Sequence, residues 1–226
     1  MKQLRLWLVL GACLGLSTGS YARSVDAPSA EAGAAYWNTV SKRAEKIVDT
    51  LGLDVAAAAA RVRDLIAQQY KDLRDIHEAR DVRLAELKKS GGPADAGAAE
   101  AVRDEADLKL FRLHYSFLAR LVAELTLEQI EQVKDGLTYS VLPNTDRVYR
   151  EVHPNLTDEQ KRQILAWLTE AREYAMDAGS SEAKHAWFGK YKGRITNYLA
   201  VAGYDVKTAE KEWLDRQKAA KAATNP

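Results

Sequence analysis

Cysteine is almost missing from this 226-residue sequence: Cys13 is the single one, so no disulfide can form within the chain. Five prolines and 13 glycines are too few for collagen-like or proline-rich structure. An excess of charge is missing too, since 33 Lys and Arg oppose 32 Asp and Glu. That balance argues against a broadly cationic nucleic-acid binder and against an acidic solvating tail. Beyond residue 22 no stretch approaches the ~18 consecutive apolar residues of a membrane span. There is no Gly-x-Ser-x-Gly, P-loop or GxGxxG pattern, and His77, His114, His153 and His185 form no HExxH or HxH arrangement. No metal site and no cofactor is therefore read from the sequence. What remains is 46% hydrophobic and 29% charged, an ordinary globular balance in a chain long enough to bury a sizeable core.

The N-terminus reads as an address. Lys2 and Arg5 precede the apolar run of residues 6–16, and Ser20-Tyr21-Ala22 offers small residues for cleavage after Ala22. This predicts an exported protein, periplasmic or extracellular, whose mature part has no cysteine. Leu10-Gly11-Ala12-Cys13 also resembles a bacterial lipobox, which would make Cys13 a lipidated terminus. Residues 23–34 are small and polar and read as a flexible leader.

The rest is patterned for helices. Trp37, Val40, Ala44, Ile47 and Leu51 share one face of a first helix. Val55, Ala59, Val62, Ile66, Tyr70, Leu73 and His77 stripe a long second one, stopped by Ser90-Gly91-Gly92-Pro93. Leu110, Leu113, Phe117, Leu118 and Leu121 mark a third. A short fourth ends at Gly136, and residues 137–155, broken by Pro143, Asn144 and Pro154, read as irregular. Helices over 157–178, from about 181 to 202, and over 207–222 follow, with Gly179 and Gly203 as stop signals. The expectation is one all-α domain over residues 35–222, of six to seven helices packed as a bundle or orthogonally, with a frayed tail at 223–226.

Two segments repeat a pattern: Leu125-Thr126-Leu127-Glu128-Gln129 and Leu156-Thr157-Asp158-Glu159-Gln160. Each reads as a capping box, with Thr at the N-cap and Gln at N3, and Leu125 and Ile130 placed as a hydrophobic staple. The pair also resembles the LTxxQ motifs of Spy/CpxP-type periplasmic chaperones. That resemblance implies an alternative role in protein handling or envelope structure.

Candidate chemistry is densest at residues 184–204. Lys184, Lys190, Lys192 and Arg194 meet no acid before Asp205, and Trp187, Tyr191, Ile195, Tyr198 and Ala202 fall on one helical face. Gly189 and Gly193, four apart, leave a bare strip for a neighbour or ligand. Flat rings beside cationic and amide donors suit a polar ligand with apolar faces, such as a neutral or acidic sugar. The predicted ligand wall is His185, Trp187, Lys190, Tyr191, Lys192, Arg194 and Asn197. His77, Arg80, Lys134, Asp135 and Tyr139 are second candidates. Glu170, Glu173 and Asp177 offer a carboxylate pair of glycosidase type, a spacing also common on solvated helices. His114, set among Phe111, Tyr115 and Phe117, reads as a half-buried helix residue. Nucleic acid is not an expected partner, and oligomeric state is open.

Longer strings carry a second resemblance. They are Val133-Lys134-Asp135-Gly136-Leu137-Thr138-Tyr139, Gln160-Lys161, Trp167-Leu168-Thr169-Glu170-Ala171-Arg172-Glu173 and Ala175-Met176-Asp177-Ala178-Gly179-Ser180-Ser181. The longest is Lys184-His185-Ala186-Trp187-Phe188-Gly189-Lys190-Tyr191-Lys192-Gly193-Arg194-Ile195. Together they resemble the domain-of-unknown-function family 3826 over most of the chain. The resemblance implies an exported bacterial protein with a glycan-related role, and it transfers no catalytic residue.

Overall fold

The computed structural model describes residues 30–90 and 95–224, so the expected export signal, Cys13 and most of the expected leader lie outside the described residues. The described chain is all helical: α1 (Ala30–Val48), α2 (Ala56–Ser90), α3 (Asp95–Val122), α4 (Leu127–Leu137), α5 (Val141–Val152), α6 (Asp158–Met176), α7 (Ser181–Val201) and α8 (Val206–Thr224). No helix among these residues is long and apolar enough to cross a membrane.

Among the described residues eight helices stand where six to seven were expected. The extra one is α5, which replaces the irregular segment predicted for residues 137–155. Pro143 is the third residue of α5, inside the first turn, where a missing N–H costs no intrahelical bond. It therefore starts a helix here and breaks none. α1 begins at Ala30, within the expected leader, and α8 runs to Thr224, past the expected domain end.

Both LTxEQ segments are capping boxes. The backbone N–H groups of Gln129 and Gln160 donate to Thr126 Oγ1 and Thr157 Oγ1, at 3.3 and 3.2 Å. The backbone N–H groups of Thr126 and Thr157 donate back to the glutamine Oε1 atoms at 3.0 and 2.9 Å. Leu125 and Ile130 are both buried in one core cluster, as a staple requires. Helix starting accounts for the recurrence of the motif.

Two cores result. One gathers α1, α2, the end of α3, α4 and Met176, around Val40, Ile66, Phe117, Leu121 and Val133. The other gathers α5, α6 and α7 around Ile164, Leu168, Phe188, Ile195 and Leu199, with Val206 of α8 against it. α4 touches α1, α3, α5 and α6 and so joins the two. Its approach to α1 depends on Gly136, where an added Cβ would lie 2.8 Å from Ile47 Cγ1. α2 and α3 run antiparallel, tied by Arg61–Glu124 and Arg83–Glu105 ion pairs.

The C-termini of α4 and α7 close with the same bonding pattern. After α7, Tyr204 N–H donates to Leu199 O and Gly203 N–H to Ala200 O, with Gly203 at φ 91°. This is a Schellman motif with its usual glycine. After α4, Ser140 N–H donates to Asp135 O at 2.7 Å and Tyr139 N–H to Gly136 O at 3.4 Å. Here the left-handed positions are Tyr139, at φ 59°, and Ser140, at φ 53°. A side chain in that region costs about 1–2 kcal/mol, so the α4–α5 corner is strained.

Candidate functional site

The richest surface lies between α3 and α6. Phe111, His114 and Tyr115 project from one face of α3, and Glu170, Glu173 and Tyr174 from one face of α6, with its C-cap Asp177 below. Both sets follow the i, i+3, i+4 spacing that puts side chains on a common helical face. They enclose a cleft of about 320 Å³. Its aromatic walls face solvent: Phe111 is 60% exposed, Tyr115 58% and Tyr174 48%. Phe111 and Tyr115 meet edge to face at 4.7 Å, and Tyr174 stacks on Trp187 of α7 at 4.5 Å and 15°.

His114 sits at the floor between two carboxylates. Its Nδ1 is 2.9 Å from Asp177 Oδ2, too poorly aligned to count as a hydrogen bond, and its Nε2 is 3.6 Å from Glu173 Oε2. The Asp177 carboxylate outweighs the effect of burial and raises the imidazole pKa above its ordinary value. His114 is thus biased toward its protonated form, with Asp177 beside one ring nitrogen and Glu173 beside the other.

A buried charge network backs this floor. Arg172, with 3% of its side chain exposed, donates to Asp135 Oδ1 at 2.8 Å, to Glu131 Oε2, and to Glu173 Oε1 at 3.4 Å. Lys134 Nζ reaches Glu173 Oε1 at 3.1 Å and Glu131 Oε1 at 3.2 Å. Burial alone would lower the Arg172 pKa, but its carboxylate partners raise it, so the guanidinium stays charged. His77 of α2 donates from Nε2 to the Asp177 carbonyl at 2.7 Å. Its ring packs against Gly179, where a Cβ would come within 2.8 Å. Gly179, expected as a helix stop, thus serves to admit His77, and it does not take a left-handed conformation. Lys134 and His77 thus contact the cleft residues Glu173 and Asp177 directly, and Asp135 is linked to them through Arg172.

The predicted wall on α7 divides. The face of α7 turned to the core is Lys184, Phe188, Tyr191, Ile195 and Leu199. The aromatic face predicted through Trp187, Tyr198 and Ala202 is rotated from it: Trp187 and Tyr198 are half-buried flanks and Ala202 is exposed. Tyr191 is core, its phenol pushed up to about 12 by burial and by the Glu170 carboxylate. Trp187, Lys190 and Arg194 line up beside α6: Lys190 lies over the Trp187 ring at 5.0 Å, and Arg194 over Trp167 at 4.6 Å and 4.0 Å from Glu170. His185 points elsewhere and stacks on Tyr139 at 5.5 Å. Lys192 lines a separate groove with Tyr149 and Thr196, and Asn197 is exposed. Arg80 pairs with Asp81 and lines a groove with Arg83 and Glu105 on the α2–α3 arm. Gly189 and Gly193 face open space, so no helix among the described residues packs on the bare strip.

The predicted wall contains none of the seven residues that line this cleft: Glu170, Glu173 and Asp177 were expected only as a carboxylate pair, His114 only as a half-buried helix residue, and Phe111, Tyr115 and Tyr174 not as site residues at all. The available signal was the helical spacing of Phe111, His114 and Tyr115 against that of Glu170, Glu173, Tyr174 and Asp177. Among the described residues, no group of three or more His, Cys, Asp or Glu side chains is placed to hold a metal ion.

Fold and site together define an all-α, single-domain protein with an aromatic-walled acidic cleft between two helices. Residues 37–219 match the family described as a protein of unknown function (DUF3826), and the chain belongs to that family. No curated protein matches the sequence at a significant level.

Proposed function

We propose that this is an exported saccharide-binding protein and that the α3–α6 cleft receives a neutral glycan. The observation that carries the reading is the solvent-facing Tyr174 ring, stacked on Trp187 and set beside Glu170, Glu173 and His114. Aromatic faces cover the apolar faces of a sugar ring, and carboxylates accept its hydroxyl protons. Carboxylates lining the cleft repel anionic sugars, which favours a neutral ligand over an acidic one. Lys190 and Arg194, beside Trp187 and Glu170, form the outer rim along α7.

A second reading, glycoside cleavage, is favoured by one feature: a histidine of raised pKa between two carboxylates. His114 would protonate the leaving oxygen and a carboxylate would activate water. A glycan that binds and gives no new reducing ends would leave the binding role alone.

The test is a thermal shift of the full chain against a panel of neutral and acidic oligosaccharides. A ligand that binds only the folded state at 100 times its Kd adds about 2.7 kcal/mol. A neutral glycan should raise Tm in the wild type and Arg194→Ala should weaken the effect, while Tyr174→Ala abolishes it. A shift of equal size in Tyr174→Ala would refute the cleft as the site.

A further inference from the structure

Between α1, α2 and α4 lies a second concavity of about 580 Å³ with the opposite character. Arg43 and Lys46 come from α1, Tyr70 from α2, Gln132 from α4, and Tyr139 and Ser140 from the strained corner. Arg43 and Lys46 form no ion pair among the described residues, and both face this one concavity. The one acid in the lining, Asp135, is engaged by Arg172 at 2.8 Å. A third cation lies beneath: buried Lys184, with Nζ 3.0 Å from Leu137 O and 5.8 Å from the Tyr70 ring centroid. It has carbonyl partners and no carboxylate. Burial pushes its pKa down to about 8, and the nearby Arg43 charge adds to that effect.

Two uncompensated cations at the mouth of a concave site call for an anion. The uncharged polar lining, made of two phenols, the Thr50 and Ser140 hydroxyls and an amide, calls for hydrogen-bonding groups around that anion. The strain at Tyr139 and Ser140 supplies a separate indication. A glycine at position 139 would close α4 without cost, as Gly203 does for α7. The tyrosine instead projects over the pocket, held by its stack on His185. Strain retained at a pocket rim is a common mark of function.

We infer that this pocket, formed by Arg43, Lys46, Tyr70, Gln132, Tyr139 and Ser140, binds a small polyhydroxylated carboxylate. The acid group pairs with Arg43 and Lys46, and the hydroxyls bond to the phenols, Gln132 and Ser140. The site is distinct from the acidic cleft and does not depend on the reading given to that cleft.

The probes are three: sodium glucuronate carries both features, glucose only the hydroxyls, and sodium sulfate only the charge. Calorimetric titration of the full chain at matched ionic strength should show glucuronate binding at least about tenfold tighter than either of the others. Arg43→Gln and Lys46→Gln should each weaken glucuronate by about tenfold with an unchanged Tm, since both side chains are exposed. Tyr174→Ala, in the other cleft, should leave glucuronate binding as it was. Glucuronate binding no tighter than glucose or sulfate would overturn the inference. So would glucuronate affinity that survives both charge substitutions.

Discussion

The two concavities are linked through the charge network of α4 and are built from opposite materials. The α3–α6 cleft is walled by exposed aromatics and floored by Glu173, Asp177 and His114. The α1–α4 pocket presents Arg43 and Lys46, which have no ion-pair partner among the described residues, and has Lys184 behind it. Arg172 reaches acids of both, Asp135 on one side and Glu173 on the other. One buried guanidinium thus satisfies an acid at each site. It withdraws Asp135 from the basic pocket, which leaves that pocket net positive, and it fixes Glu173 where the cleft needs a carboxylate. The whole-chain balance of 33 basic and 32 acidic residues carries no trace of this local segregation.

The largest expected effect comes from breaking that shared element. Arg172→Met leaves Asp135 without a cation and Glu131 and Glu173 with Lys134 alone, and should cost about 3 kcal/mol in urea unfolding. A loss below about 1 kcal/mol would mean that the two sites are not held in common.

The titrating groups beneath the two sites should pull stability in opposite directions with pH. The pKa of Lys184 is lowered from 10.5 to about 8 on folding. The unfolded chain therefore binds the proton more tightly, and the burial penalty is relieved as pH rises between those values. The stability of the wild type relative to Lys184→Met should grow across that window by on the order of 2–3 kcal/mol. His114 is raised, so its contribution is complete below the ordinary imidazole value near 6.5 and fades as pH rises through the folded value. Chemical denaturation from pH 5 to pH 11, with His114→Gln as the second reference, separates the two. A wild type parallel to Lys184→Met throughout would remove the buried ammonium from the account.

Smaller effects test the frame that carries both sites. Thr126→Ala and Thr157→Ala should each cost about 1 kcal/mol by loss of a capping box. The first acts on α4, which borders both concavities, and the second on α6, which lines only the cleft. Smallest is Gly189→Ala on the open side of α7, where a Cβ meets nothing within 4 Å. It should stabilise by about 0.5–1 kcal/mol and leave both ligand affinities unchanged.

The capping boxes at Thr126 and Thr157 were legible in the sequence because their partners lie three residues apart. The helices were legible from their periodicity. The face of α7 was misread because Trp187 and Tyr198 outweigh Phe188 and Leu199 on any scale of aromatic bulk, while burial follows the stripe that includes Lys184. α5 was hidden by Pro143, whose effect depends on its position within a helix that could not yet be placed. The cleft was half visible: Glu170, Glu173 and Asp177 stood out as a group on one segment. Their meeting with His114 depends on α3 packing beside α6, which local pattern does not encode. The same holds for Asp135 and Lys134, whose partners come from another helix. Tyr139 in a left-handed position carries no sequence signal, since glycine is the residue that announces it.

The central claim is that one small helical domain carries two separate sites of opposite charge. A single calorimetric experiment addresses it most directly. The neutral oligosaccharide that gives the largest thermal shift is titrated into the full chain with and without saturating glucuronate. The account predicts the same affinity in both titrations, with the oligosaccharide response lost in Tyr174→Ala and the glucuronate response lost in Arg43→Gln. Competition between the two ligands, or loss of both responses in one of these variants, would contradict it.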